Sequence, residues 1–143
     1  MDGIMNFRSK IWSLLTAIYP WWLRKWYGMT IGTNCVISTG VRFDKTINPK
    51  GIHIGNNVWI LKGAIILSHD HCRKLKDNIQ IDDNCVIGLN AIIMPGVHIK
   101  EHTIVGAGAV VTKDTMGHCI VAGNPAKVIK ENITLDNYGR IKA

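Results

Sequence analysis

Residues 81–116 read IDDNCV (81–86), IGLNAI (87–92), IMPGVH (93–98), IKEHTI (99–104), VGAGAV (105–110) and VTKDTM (111–116). Each unit starts with an aliphatic residue, and the fifth residue is always small or β-branched. A period of six fits neither an α-helix, with its period of 3.6, nor the alternation of one half-buried strand. It fits a coil of triangular cross-section with one hexapeptide per face. The stretch therefore predicts a parallel β-solenoid with three units per turn.

The same spacing continues towards the N-terminus. The leading aliphatic or aromatic residues are Ile54, Ile60 and Ile66 in one turn, and Ile31, Ile37 and Phe43 in the turn before it. Two breaks interrupt the period, at about 44–53 and at 67–80. An insertion in a solenoid must leave at a corner and lie outside, so both breaks predict loops. Loops on a rigid scaffold are where chemistry tends to occur.

Composition limits the class of protein. The chain has 143 residues, of which 47% are hydrophobic and 19% charged, and this balance predicts one folded domain and excludes a disordered chain. A net charge of +7 suits nucleic acid, an anionic membrane surface or a phosphorylated ligand. The basic residues are spread along the chain and no nucleic-acid module is recognisable, so we expect no nucleic-acid partner.

The four cysteines are far apart and form no C-x-x-C pair. Cys35 and Cys85 fall in the small inward slot of the repeat, which indicates core packing in a reducing cytosol, and we expect a cytoplasmic protein. Cys72, in the loop sequence HDHC (69–72), stays open as a ligand or a reactive thiol.

We divide the chain into an apolar, Trp-rich cap or arm (1–30), the hexapeptide domain (31–126) and a C-terminal tail (127–143), of which residues 127–133 suit a strand or a short helix. The apolar run IWSLLTAIYPWWL (11–23) is too short to span a bilayer and contains Pro20. It suits a short helical or extended cap on the first turn. It also suits peripheral membrane contact through residues 11–27, with tryptophans at headgroup depth and Arg24 and Lys25 facing anionic lipid.

Two motifs carry a resemblance to a known family. VGAGAVVTKD (105–114) and VAGNPAKVI (121–129), together with the hexapeptide coil and a histidine in the second loop, resemble the left-handed β-helix acyltransferases. The likeness is to the sugar and polysaccharide O-acetyltransferases related to galactoside and maltose acetyltransferases, and it covers roughly residues 28–131. The resemblance implies an all-β fold, a left-handed parallel β-helix, and acetyl-CoA as co-substrate without a metal. It also implies a homotrimer with sites between subunits.

The resemblance also assigns residues. The family's general base matches His69, and a neutral imidazole suits the removal of a proton from a sugar hydroxyl. Neighbouring residues in an extended segment point to opposite sides, so we do not expect Asp70 to be the direct partner of His69. The coenzyme positions, with lysines where arginine is frequent, match a set of six residues: Gly88, Ala107, Thr112, Lys113, Lys127 and Lys130.

The acceptor site is less well matched. We assign acceptor binding to Ser38, Asp44 and His71. Ser38 stands where galactoside-type members carry an asparagine that contacts the sugar, and the loop after His69 is shorter, so the acceptor is left open.

The leading hypothesis is transfer of acetyl from acetyl-CoA to a sugar hydroxyl of a polysaccharide or a glycan precursor. An amino sugar acetylated on nitrogen is an alternative on the same scaffold. A second alternative is a lyase like the γ-class carbonic anhydrases, which needs three histidines on zinc across subunits. A third is a coil that serves only assembly.

Overall fold

The computed structural model describes residues 2–142 of the chain. The side chains of residues 2–6 and of Arg8 lie outside this description. Met1, the first residue of the predicted cap, and Ala143, the last residue of the predicted tail, also lie outside it.

Three sheets of short parallel strands form the body of the molecule. The first sheet contains β1 (Thr30–Ile31), β4 (Ile52–Ile54), β9 (Ile79–Ile81) and β12 (His98–Ile99). The second contains β2 (Val36–Ile37), β5 (Trp59–Ile60), β10 (Val86–Ile87), β13 (Ile104–Val105) and β15 (Cys119–Gly123), and β16 (Ala126–Glu131) pairs antiparallel at its edge. The third contains β3 (Arg42–Phe43), β6 (Ile65–Ile66), β11 (Ile92–Ile93) and β14 (Val110–Val111).

Up to β14, the strands of the coil pass through the first, second and third sheets in turn, so each turn of chain stacks on the turn before it. The register follows the repeat: Ile31 pairs with Ile54, and Ile54 pairs with Ile81. The remaining elements are a helix, a 3₁₀ turn (Pro49–Gly51) and a small hairpin of β7 (His69–Asp70) and β8 (Leu75–Lys76). The prediction of a mostly β chain of parallel strands is confirmed.

Side chains of the repeat fill the space between the three sheets. All twelve leading positions from Ile31 to Val111 are buried, and so are the ten small positions from Cys35 to Thr115. Full burial of one aliphatic side chain stabilises a fold by about 1.5–3 kcal/mol, so the six-residue period is the main source of stability. Gly88 shows how tightly the turns stack, because a Cβ there would lie 2.6 Å from the Val105 carbonyl oxygen.

One corner, between the first and second sheets, carries a column of residues with positive φ. Asn34, Asn57 and Asn84 have φ of 58°, 55° and 56°, and their side-chain amides hydrogen-bond from turn to turn at 3.0 and 3.2 Å. His102 and His118 continue the column, with ring centroids 4.6 Å apart. Asparagine tolerates this conformation better than most residues, which explains its recurrence.

Helix α1 (Asp2–Tyr27) covers the first turn of the coil. It is longer than the short cap expected from residues 11–23, because it begins at Asp2 and continues through Pro20 to Tyr27. Pro20 and Leu23 are buried against the coil, and Arg24 donates hydrogen bonds to the carbonyls of Ile31 and Gly32. Among residues 2–142, no helix combines the length and the apolar character needed to cross a membrane.

The segment after residue 126 is folded. Residues 126–131 form a strand, one of the two structures predicted for this stretch. The chain then turns back along the coil, where Ile133 and Leu135 are 2% and 1% exposed. The Leu135 N–H donates to His102 Nδ1 at 3.0 Å.

This hydrogen bond makes the docking of the C-terminal segment sensitive to pH. Burial and then the nearby charge of His118 lower the pKa of His102; Lys142 acts in the same direction and Glu101 opposes them. The folded state therefore binds this proton less tightly than the unfolded chain does. The contribution to stability is complete above the unperturbed pKa of about 6.5 and is lost as the pH falls below it.

His102→Asn tests this coupling. Asparagine keeps an acceptor at the δ position and tolerates φ of 54°, but it does not titrate. We expect the thermal midpoint of the wild type to fall more steeply than that of the variant between about pH 7 and pH 5. Equal slopes in melts followed by circular dichroism would contradict the assignment.

Candidate active site

Both predicted loops leave the coil at the same corner. Residues 44–51 follow β3 and residues 67–78 follow β6, and these two strands are neighbours in the third sheet. Each loop leads back to the first sheet. On the next turn this corner is short, since only residues 94–97 separate β11 from β12. Stacking therefore places the two insertions against each other.

The contact between the loops is an Asp–His pair. His69 Nδ1 lies 2.5 Å from Asp44 Oδ2. The Asp44 side chain is 3% exposed and that of His69 is 28% exposed. A carboxylate only accepts hydrogen bonds, so the imidazole proton is on Nδ1. This tautomer leaves the lone pair of Nε2 available to accept a proton.

Asp44 is held by further hydrogen bonds. The Ile47 N–H donates to Oδ1 at 3.2 Å, and the Ser68 hydroxyl lies 3.0 Å from Oδ2. Burial pushes the pKa of Asp44 upward, but the hydrogen bonds from His69, Ile47 and Ser68 outweigh it, and the net pKa is below the usual value. The carboxylate is therefore charged at neutral pH and can stabilise a positive charge on His69.

Ser68 and Asn48 join the two loops beside this pair. The fully buried Ser68 hydroxyl also lies 2.7 Å from the Asn48 carbonyl oxygen, and the Asn48 amide donates to the Ser68 carbonyl at 3.3 Å. Sequence reasoning missed both residues. The signal available was their position, since Ser68 directly precedes His69 and Asn48 lies in the other break of the repeat.

The hairpin residues after His69 point to other partners. Asp70 accepts from Arg73 Nε at 2.7 Å and from the Arg73 N–H at 3.1 Å, and these bonds lower the pKa of Asp70. His71 and Cys72 are exposed at the hairpin tip. Asp70 is thus engaged within its own hairpin, while Asp44 contacts His69.

The predicted acceptor residues do not come together in one chain. Asp44 was expected to bind the acceptor, but its carboxylate is nearly enclosed and occupied by His69, Ser68 and Ile47, a setting that suits a positioning role. Ser38 precedes β3 and lies at the corner between the second and third sheets, whereas His69 follows β6 at the corner between the third and first. His71 is on the hairpin tip.

The predicted coenzyme residues form three groups. Gly88 and Ala107 are neighbours on adjacent turns at the corner between the second and third sheets, where Gly88 is buried and Ala107 exposed. Thr112 and Lys113 are exposed just after β14, on the same corner as the two loops. Lys127 and Lys130 are exposed on β16. Sequence reasoning did not identify a cleft beside the first group, lined by Arg42, Lys62 and Leu89.

The buried thiols of Cys35 and Cys85 are not expected to act as nucleophiles. Burial raises the pKa of Cys85 to about 12 and also raises that of Cys35, so neither is a thiolate at neutral pH. In the described part of the chain, no three His, Cys, Asp or Glu side chains are arranged to hold a metal ion.

The chain is similar in sequence to one protein family and to several curated proteins. The model of the family described as hexapeptide repeat of succinyl-transferase matches residues 78–113. The 2,3,4,5-tetrahydropyridine-2,6-dicarboxylate N-acetyltransferase of Staphylococcus aureus (strain JH9) is 42% identical over 77 residues, which are 54% of this chain and 32% of that protein. The chain spans less than half the length of the curated relatives that it matches first. The resemblance to the hexapeptide-repeat acetyltransferases is confirmed.

The solved structures that superpose on the chain include sugar acetyltransferases and a serine acetyltransferase. A maltose O-acetyltransferase from Clostridium difficile 630 superposes with a TM-score of 0.61 at 28% identity, over 76% of this chain and 72% of that one. A galactoside acetyltransferase in complex with coenzyme A gives a TM-score of 0.59 at 26% identity, over 77% and 68% of the two chains.

Asp44→Ala measures what the buried pair contributes to stability. It leaves the Ile47 N–H and the His69 Nδ1–H without their acceptor, so we expect the free energy of unfolding to fall by about 1–3 kcal/mol at pH 7. Asp70→Ala is the matched control, because it removes a carboxylate whose ion pair with Arg73 lies on the surface hairpin, and we expect a smaller loss. Equal losses for the two variants in urea denaturation would contradict this account of Asp44.

Proposed function

We propose that this chain is an acetyltransferase that moves the acetyl group of acetyl-CoA to a sugar hydroxyl of a polysaccharide or a glycan precursor. His69 is the general base. The observation that carries the proposal is the Asp44–His69 pair, which fixes the imidazole tautomer and leaves Nε2 free, at a corner of a fold shared with sugar O-acetyltransferases.

The reaction follows from this geometry. His69 Nε2 takes the proton of the acceptor hydroxyl as the oxygen attacks the thioester carbonyl carbon. The carbon–sulfur bond breaks, and the proton passes from Nε2 to the leaving thiolate, giving an acetyl ester and free coenzyme A. Between these steps the imidazole is positively charged, and the ionised Asp44 beside Nδ1 stabilises it.

The coenzyme is assigned to exposed groups on the later turns. Lys113, Lys127 and Lys130 are exposed cations suited to the phosphates, and Ala107 leaves room for a narrow chain. Ala107, Lys127 and Lys130 lie on a different corner and edge from His69, and only Lys113 shares its corner. The proposal therefore includes a homotrimer in which sites form between copies, with the coil winding as a left-handed β-helix over residues 31–126.

An amine acceptor is the second candidate. The similarity to an N-acetyltransferase favours it, since the same base can serve an amino group. The zinc lyase is less favoured because the similar proteins reported above are acetyltransferases.

Calorimetry with acetyl-CoA and thiol release with a panel of sugars test the function. We expect the wild type and His69→Ala to bind acetyl-CoA alike, while His69→Ala loses about 10²–10⁴-fold in turnover, the usual contribution of a general base. His53→Ala, which removes a histidine from the outer face of the first sheet, is the control and should keep wild-type turnover. Amino sugars in the panel separate the two acceptors.

Two outcomes would contradict the proposal. Absence of acetyl-CoA binding to the wild type would overturn the donor. Turnover unchanged in His69→Ala would remove His69 as the base, and analysis of the metal content would then test the lyase.

We also propose that the protein is cytoplasmic and contacts an anionic membrane surface through α1. The side chains of α1 form two opposite stripes. Thr16, Pro20 and Leu23 form the stripe buried on the coil. The other stripe is exposed and apolar and has helical spacing: Phe7, Ile11, Leu14, Ile18 and Trp21, which are 42–66% exposed.

Charge supports lipid as the occupant of the exposed stripe. Residues 2–27 contain four basic residues and one acidic residue. Lys25 lies on the same face, one turn beyond Trp21, with Nζ 5.1 Å from the Trp21 ring centroid. Exposed tryptophans with neighbouring cations are typical of helices that lie in the interface of an anionic bilayer.

Sedimentation with vesicles tests this contact. We expect the wild type to bind phosphatidylglycerol vesicles but not phosphatidylcholine vesicles, and Ile18→Ser/Trp21→Ser to lose binding. Ile129→Ser is the control, because it removes an apolar side chain of 66% exposure on β16 and should bind as the wild type does. If the double variant instead lowers the oligomeric state while the wild type ignores vesicles, a second copy covers the stripe and the membrane proposal fails.

A further inference from the structure

Three aromatic rings of α1 surround a single cation. The Lys45 ammonium lies 5.6 Å from the ring centroid of Tyr19, 5.2 Å from that of Trp22 and 5.4 Å from that of Tyr27. It also donates to the Tyr19 hydroxyl at 3.3 Å. The rings contact one another, with centroids 6.0 Å apart for Tyr19 and Trp22 and 5.1 Å apart for Trp22 and Tyr27. We call this arrangement the aromatic cage.

The cage holds the residue next to Asp44. Lys45 directly follows Asp44 in the first loop. The two side chains have different partners: the Asp44 carboxylate contacts His69 and Ser68 in the second loop, while the Lys45 ammonium contacts α1. On the coil side, the Asp44 N–H donates to the Ile66 carbonyl at 3.1 Å. The short stretch of backbone that carries the carboxylate is thus fixed by the coil on one side and by the cage on the other.

From this juxtaposition we infer that Lys45 is a positioning residue, through which the aromatic cage of α1 fixes the carboxylate of Asp44 beside His69. The inference rests on the proposed role of His69 as general base. It gives α1 a part in the chemistry, although none of its residues was assigned to the site.

The positive charge of Lys45 is essential to this role. Aromatic faces attract a cation through their quadrupoles, and the attraction strengthens when the cation is partly withdrawn from water, as the half-buried Lys45 is. A neutral side chain of similar length keeps the apolar contact and loses this attraction. Arginine keeps it, because its guanidinium also binds aromatic faces.

The experiment compares Lys45→Met, Lys45→Arg and Lys50→Met. Lys50→Met is the matched control, because it removes a cation from the same loop whose side chain lies against Gly28. We expect Lys45→Met to lower kcat by about tenfold, with the KM for acetyl-CoA unchanged, because it loosens the base and leaves the coenzyme residues alone. Lys45→Arg should restore most of kcat, and Lys50→Met should match the wild type.

A readout independent of turnover is the proton NMR resonance of the His69 imidazole N–H, which the bond to Asp44 shifts to low field and protects from exchange with water. Asp44→Asn serves to assign the signal. We expect the resonance to broaden or vanish in Lys45→Met and to persist in Lys45→Arg and Lys50→Met. It can be measured even if the wild type proves not to transfer acetyl groups, so the failure of the inference is distinguishable from the failure of the proposed function.

Tyr27→Leu removes one wall of the cage without altering Lys45, and we expect it to weaken the same resonance. A resonance and a kcat in Lys45→Met that match the wild type would overturn the inference. So would equal losses in Lys45→Met and Lys45→Arg, because the charge would then play no part.

Discussion

The backbone hydrogen bonds between successive turns constrain everything else in this molecule. Each strand has only two to six residues, so no strand is stable by itself, and each turn depends on the register of the next. Repeat architectures bury a continuous core in this way because neighbouring units supply the missing contacts. The six-residue period in the sequence reflects this need for register. Extra residues are tolerated only where they leave the stack at a corner.

The candidate site follows from that restriction. Two insertions on neighbouring turns, both leaving between the third and first sheets, must lie side by side. Asp44 from one and His69 from the other therefore meet without either loop being long. The buried hydroxyl of Ser68 and the Ile47 N–H keep the carboxylate ionised in a position from which most water is excluded. Helix α1 also contributes to the surroundings of Asp44, since it covers the first turn and contacts the neighbouring Lys45.

Much of the fold could be predicted because the position of a residue within the hexapeptide indicates whether it is buried. Every leading residue from Ile31 to Val111 is buried, and both loops begin where the period breaks. The length of α1 could not be predicted, because Pro20 reads as a helix breaker when its packing on the coil is unknown. The path of residues 132–142 could not be predicted for a similar reason. The docking of Ile133 and Leu135 depends on His102 and His118, which lie in earlier turns of the coil.

The site was only partly accessible to sequence reasoning. His69 could be proposed from the motif context, but its partner could not, because Asp44 and His69 are 25 positions apart and the sequence does not show that stacking brings them together. Asp44 was predicted to bind the acceptor because it is a polar residue in a loop. The sequence of a loop does not show which of its side chains are buried. The assignments of Ser38, His71 and the coenzyme residues stay predictions, because one chain does not bring all of these residues together with His69.

The central claim is that Asp44 acts on the reaction through His69. A double-mutant cycle of Asp44→Asn and His69→Ala on kcat/KM for acetyl transfer, with the best acceptor of the sugar panel, tests it most directly. Residues that act as one unit are strongly non-additive, so the account predicts that the double variant is about as slow as His69→Ala alone. Losses that multiply would show that the two residues act independently, and would contradict it.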